Sequence, residues 1–237
     1  ITFEKTFHIK KGLGLVANVF EQRHFDRLKG NIGVGHVRYT TQGTNELSNA
    51  QPIAANYPFG IAMVHNGNVT NFEEMREVLY NDYHTLPATT NDLELILYTF
   101  ASELNKKDLA NVGVIDIFDA VKTTQAKVHG AYSVIATIAN HGLLAFCDPN
   151  GIRPLVLGKK ETEYGTVYGF ASESVCFDHQ GYETVRDLEP GEIVYIDNKK
   201  LQDQNKKSWR GNIGFIPQDV YLMDGTVREN ILFDRQY

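Results

Sequence analysis

Apolar and polar positions alternate in short runs at both ends of the chain and fall into helical stripes in its middle. Enrichment in Val, Ile, Tyr and Phe, bounded by Gly, Asn and Pro, predicts strands near 6–16, 32–38, 60–65, 131–139, 143–147, 152–158, 167–172 and 191–196. Apolar residues three and four apart predict helices at 17–28, 71–81, 92–105, 114–128 and 173–179. The 92–105 segment has the clearest stripe: Leu93, Ile96, Leu97, Phe100, Ala101 and Leu104. Two helix starts carry a capping pattern, Thr70-Asn71-Phe72-Glu73 and Asn91-Asp92-Leu93-Glu94. A central block of helices between two strand-rich parts implies a layered α+β fold, not a strict alternation of strand and helix.

The pattern changes at residues 198–208, a polar stretch with four lysines and no apolar period, which reads as a linker or exposed hairpin. The whole 237-residue chain is of ordinary globular composition, 42% hydrophobic and 22% charged. Its net charge of -6 is spread without long blocks, which argues against a nucleic-acid surface. Apolar runs such as 131–139 are too short to span a bilayer. Two cysteines, Cys147 and Cys176, make no disulfide framework or metal-ligand spacing, and both sit in apolar context that predicts buried, inert thiols. A cytoplasmic protein without a metal centre is the expectation. The first residue is Ile1, opening directly into strand-like sequence, so a processed or truncated beginning is expected too.

Three polar clusters end or begin apolar runs. Arg38 closes the run from Ile32 and can fork two N–H groups onto a carboxylate, although a lone strand-end Arg is more often a surface residue. Asn66-Gly67 follows Ile61 to Val64. The ordinary explanation is a tight turn. The chemical one is an oxyanion hole, the Asn66 amide and the Gly67 N–H aimed at developing negative charge. Asp92 sits at a predicted helix start, where the dipole favours a carboxylate. A ligand ammonium would give it a further role. His36 and His65 lie beside apolar strands and read first as hydrogen-bonded structural histidines.

Where these pieces combine, the chain resembles the glutaminase domain of the amidophosphoribosyltransferases, within the class II glutamine amidotransferases. The resemblance rests on Gly12-Leu13-Gly14-Leu15-Val16, Gly35-His36-Val37-Arg38-Tyr39, Ala50-Gln51-Pro52 and His65-Asn66-Gly67-Asn68-Val69-Thr70-Asn71. It continues in Asp148-Pro149-Asn150-Gly151-Ile152-Arg153-Pro154-Leu155 and Ala171-Ser172-Glu173-Ser174, covering about residues 1–197. The resemblance implies an N-terminal-nucleophile hydrolase fold, a four-layer sandwich of two antiparallel sheets between helical layers, here without its N-terminal strand. It implies hydrolysis of glutamine to glutamate and ammonia, with Arg38 gripping the α-carboxylate and Asp92 the α-ammonium. Asn66 and Gly67 would form the oxyanion hole, and His65 would belong to the substrate-binding set. The family's nucleophile is an N-terminal cysteine, which this chain lacks, so it is expected to be inactive as a glutaminase. The family also implies a phosphoribosyltransferase domain, absent here, with its Mg ion, and a homo-oligomer.

Residues 209–233 resemble instead the Q-loop segment of an ABC transporter ATPase, with Gln218 at the metal-contacting position. No Gly-x-x-x-x-Gly-Lys-Ser/Thr loop accompanies it, so 209–237 is expected not to be an independent domain. Two alternatives stay open: a non-catalytic glutamine-binding or regulatory module, and a chimeric fragment.

Overall fold

In chain order the described strands are β1 (Thr2–Phe3), β2 (Phe7–His8), β3 (Ile32–Gly33), β4 (Ile53–Ala55), β5 (Ile61–Val69), β6 (Gly130–Ile138), β7 (Gly142–Cys147), β8 (Val156–Thr162), β9 (Gly165–Ala171), β10 (Glu183–Asp187) and β11 (Ile193–Asp197). The helices are α1 (Val16–Val19), α2 (Gln22–Phe25), α3 (Phe72–Asn81), α4 (Leu93–Asn105), α5 (Val114–Lys127) and α6 (Val175–Gln180). This computed structural model describes residues 1–3, 5–38, 46–163 and 165–197. They belong to one unit, Ile1–Asn198. The linker expected at 198–208 and the segment 209–237, with Gln218, lie outside the described residues.

A five-stranded antiparallel sheet, ordered β11-β7-β6-β5-β4, forms the centre. Its two long strands pair over their full length, from Ile61 opposite Ile138 to Val69 opposite Gly130. Side chains alternate across a strand, and the two faces go to different neighbours. Ile61, Met63, Val134, Ala136, Leu144 and Phe146 pack with α4 and α5 residues such as Leu97, Phe100, Ile117 and Val121 in the largest core. From the opposite face, Ala62 and Val64 meet Ile1 and Val34, while Ala145 and Cys147 meet Leu155 and Leu157. Those partners belong to two three-stranded sheets, β2-β1-β3 and β10-β8-β9, and their flanks. The short helix α6 covers the outer side of the second: Gly158 and Gly169 pair across β8 and β9, and both lie against the Phe177 ring. A Cβ at Gly158 would stand 2.8 Å from that ring. The layers therefore run helices, sheet, sheet, helix.

The stripe predicted on α4 is fully buried, and so are Leu95 and Thr99 on its flanks, because the helix is sandwiched between β4, β5, α3 and α5. Both capping patterns are realised differently. Asn71 does not cap α3; it receives the His129 backbone N–H at 2.9 Å and donates to the Lys127 carbonyl at 2.9 Å, pinning the helix start to the α5–β6 connection. At α4, Asn91 Oδ1 accepts the Leu93 N–H, while Glu94 reaches back to the backbone N–H of Thr89 at 2.7 Å.

Several boundaries differ from the periodicity. The helix expected at 17–28 is two four-residue helices, because Glu21 is extended and restarts the chain as the N-cap of α2. The strand at 6–16 is reduced to Phe7–His8, and the following loop carries Gly14 at φ 116. Only Ile32–Gly33 of 32–38 joins a ladder. Pro154 has no N–H to give, and β8 begins two residues after it. Strands β4 and β10 were not anticipated. The loop between β7 and β8 is organised by Asp148, which is completely buried. Its carboxylate accepts three backbone N–H groups, from Tyr132, Asn150 and Ile152.

Candidate active site

Asn66-Gly67 does not form a turn. Strand β5 runs through it to Val69, with Asn66 opposite Ser133 and Gly67 opposite Tyr132. The alternation of β5 places Asn66 on the face of Ala62 and Val64, and places His65 and Gly67 on the face of Met63 and Val69. Asn66 is exposed, whereas His65 is buried.

His65 is the hub of the polar cluster. Its backbone N–H donates to Gln51 Oε1 at 2.7 Å, and its ring Nδ1 lies 2.9 Å from Gln51 Nε2. The other ring nitrogen, Nε2, stands 3.3 Å from Asp92 Oδ1, a close electrostatic contact without the alignment of a good hydrogen bond. Asp92 Oδ2 accepts the backbone N–H of Val69 at 2.9 Å. Asp92 is thus the N-cap residue of α4 by position, yet its carboxylate turns to β5 and makes no side-chain cap. Burial alone would raise its carboxyl; the His65 contact and the Val69 N–H outweigh that and hold it below its ordinary value.

His36 adjoins the same histidine. Burial pushes its imidazole down to about 4, with the neighbouring His65 and Arg38 acting in the same direction and a hydrogen bond to the His65 backbone acting against it. The ring is therefore neutral at physiological pH, and it connects the Arg38 side to the Asp92 side of the cluster. Arg38 is exposed, and with Gly35, His36, Gln51, Lys11 and Glu46 it lines a cavity of about 360 Å³. Lys11 donates to the Ala50 carbonyl at 2.7 Å, and burial lowers its ammonium from the ordinary value.

The structure therefore brings His65 and Asp92 into direct contact and links them through His36 and Gln51 to the cavity that Arg38 lines. Asn66, Gly67, His65 and Asp92 are not among that cavity's walls. Sequence reasoning left His36 as a structural histidine and gave Gln51 no role. The signal for His36 was its place two residues before Arg38; for Gln51, a partner fourteen positions away in sequence, no local signal existed.

The two cysteines part company. Cys147 is buried, and burial with the charges of Asp148 and Glu192 pushes its thiol up to about 12. Cys176, expected to be buried, is exposed: the six-residue helix α6 turns only Phe177 inward. Neither lines the cavity. Among the described residues, no group of three or more His, Cys, Asp or Glu is placed to hold a metal ion, and no helix is long and apolar enough to cross a membrane.

Residues 36–179 match a family model described as "Glutamine amidotransferase domain". The amidophosphoribosyltransferase of Pasteurella multocida is 48% identical over 193 residues, 81% of this chain and 38% of that protein. The Escherichia coli protein of the same name is 48% identical over 191 residues, 80% of this chain and 38% of that protein. In Schizosaccharomyces pombe the figures are 44% over 193 residues, 81% and 36%. The chain thus spans a little over a third of the length of these curated relatives. Among solved structures, one described as the allosteric regulatory enzyme of purine biosynthesis superposes with a TM-score of 0.65 and 28% identity, over 78% of this chain and 37% of that one. Glutamine phosphoribosylpyrophosphate amidotransferase from B. subtilis, complexed with ADP and GMP, gives 0.63 and 28% over the same shares. The four-layer sandwich anticipated for this chain is the fold it shares with both.

Proposed function

Because the chain belongs to the glutamine amidotransferase domain family, we propose that it is the glutamine-binding and glutamine-hydrolysing part of an amidophosphoribosyltransferase. The fold is that of the N-terminal-nucleophile hydrolases. In the proposed reaction water and glutamine give glutamate and ammonia, and the ammonia serves phosphoribosylamine formation for purine synthesis on a phosphoribosyltransferase domain. That domain, its Mg ion and assembly into a homo-oligomer are parts of the same proposal.

The observation that carries the reading is the joined cluster: a guanidinium lining a cavity, linked through two histidines to a carboxylate held ionised. Arg38 would take the substrate α-carboxylate, since a planar guanidinium can donate two parallel N–H bonds. Asp92, kept negative by its surroundings, would take the α-ammonium, with His65 as its support. The Asn66 side-chain amide and the Gly67 backbone N–H would receive the oxyanion formed when the side-chain amide is attacked. Removing one such donor typically costs about a hundred- to a thousand-fold in rate. Cys147 and Cys176 both lie away from the cavity walls, so these roles are binding and charge stabilisation, not nucleophilic attack.

The test is thermal stabilisation by L-glutamine with D-glutamine as control, alongside ammonia release. A dose-dependent rise in Tm for the L-isomer alone supports the site, and ammonia release above the uncatalysed rate supports the hydrolytic role. No stabilisation by either isomer overturns the reading. For residues 209–233 the proposal stays with the sequence: a segment like the Q-loop of an ABC transporter ATPase, Gln218 its metal-contacting residue.

A further inference from the structure

We propose that Gln51 is a positioning residue: its side-chain amide fixes the tautomer of His65 and thereby orients the Asp92 carboxylate. The argument is one of donors and acceptors. A backbone N–H can only donate, so the atom of Gln51 that sits 2.7 Å from the His65 nitrogen must be the carbonyl oxygen. The amide cannot then be flipped, and the atom 2.9 Å from His65 Nδ1 is the NH₂ group. An amide NH₂ only donates, so Nδ1 offers its lone pair. In the neutral imidazole the one remaining proton must be on Nε2, which faces Asp92 Oδ1 at 3.3 Å. The opposite tautomer would point a nitrogen lone pair at a carboxylate oxygen.

The consequence is that both oxygens of Asp92 face groups of one strand: Oδ2 accepts the Val69 backbone N–H, and Oδ1 lies 3.3 Å from the His65 ring in an electrostatic contact without hydrogen-bond alignment. The segment carrying Gln51 is itself tied to the start of α4, where the Asn91 side chain donates to the Asn49 carbonyl at 2.8 Å. Gln51 is 8% exposed and His65 5%, so water does not compete strongly for these contacts. Gln51 also lines the cavity with Arg38, so one side chain touches both the wall of the cavity and the support of the carboxylate. The link from this tautomer to an α-ammonium rests on the glutamine reading above; the tautomer itself does not.

The experiment is nitrogen NMR of the histidine rings in the full chain at neutral pH, on the wild type and on Gln51→Glu. The wild-type His65 is expected to show a pyrrole-like Nε2 and a pyridine-like Nδ1. In Gln51→Glu the new carboxylate accepts from both the His65 backbone and its ring, so Nδ1 becomes protonated and its resonance moves to the pyrrole-like range. Glutamine affinity should fall by about tenfold alongside that shift. A wild-type spectrum with the proton on Nδ1 overturns the proposal even if the variant fails to fold. So does a folded Gln51→Glu whose His65 keeps the wild-type pattern, as a merely space-filling Gln51 would allow. Should the tautomer switch as expected while the wild type binds no glutamine, the positioning stands and the glutamine reading fails.

Discussion

Gly67 lies opposite Tyr132 across β5 and β6 with almost no room between the two backbones: a Cβ placed at Gly67 would be 2.6 Å from Tyr132 Cα and 2.3 Å from the carbonyl oxygen of Ala131. Both obstacles are backbone of β6 within the nine-residue ladder of β5 and β6, so neither can swing aside.

Gly67→Ala is therefore expected to destabilise the fold by about 2 kcal/mol or more, through displacement of β6. Gly35→Ala serves as the contrast, since a Cβ there meets nothing within 4 Å. Urea denaturation followed by tryptophan-independent circular dichroism measures both. Equal stability of the two variants would show that the strand pair yields where the contacts say it does not.

Thiol titration distinguishes the cysteines. Cys147 is buried with its thiol pushed up to about 12, while Cys176 is exposed on α6. A thiolate-seeking reagent at neutral pH should modify one thiol per folded chain promptly and the second only after denaturant is added. Rapid modification of both in the native state would contradict the packing of β7 against β8.

Acid stability should report His36. Unfolded, the imidazole takes up a proton near its ordinary value of 6.5; folded, it does so only near 4. Between those values the unfolded chain binds more protons, so stability falls as pH drops through this window, by up to about 1.4 kcal/mol per pH unit for one group. His36→Asn removes that contribution, and the slope of stability against pH should be shallower than in the wild type. An unchanged slope would place His36 in contact with water.

The sequence announced some of this and concealed the rest for identifiable reasons. Leu93, Ile96, Leu97, Phe100, Ala101 and Leu104 reveal α4 because their spacing reflects a local helix, although burial extends beyond that stripe to Leu95 and Thr99. Asn66-Gly67 misleads as a turn dipeptide because its opposite strand starts some sixty residues later, at Gly130, beyond any local pattern. Arg38, His65 and Asp92 were visible as candidates through short motifs. That Asp92 would turn away from its own helix to Val69 was not, since a helix start explains an Asp without help. Gln51 stayed silent because both its partners are atoms of His65, reached only after β4 and β5 form a hairpin.

The central claim, that Arg38 and Asp92 grip the two ends of one amino acid, is tested by calorimetric titration of three ligands into three proteins. The ligands are L-glutamine, glutaramic acid without the α-amine, and aminobutyramide without the α-carboxylate; the proteins are the wild type, Arg38→Ala and Asp92→Asn. In the wild type each truncated ligand should lose about 2 kcal/mol or more. Loss of the ligand carboxylate should cost little further in Arg38→Ala, and loss of the amine little further in Asp92→Asn. Penalties that simply add in those pairings would mean that neither side chain touches the group assigned to it.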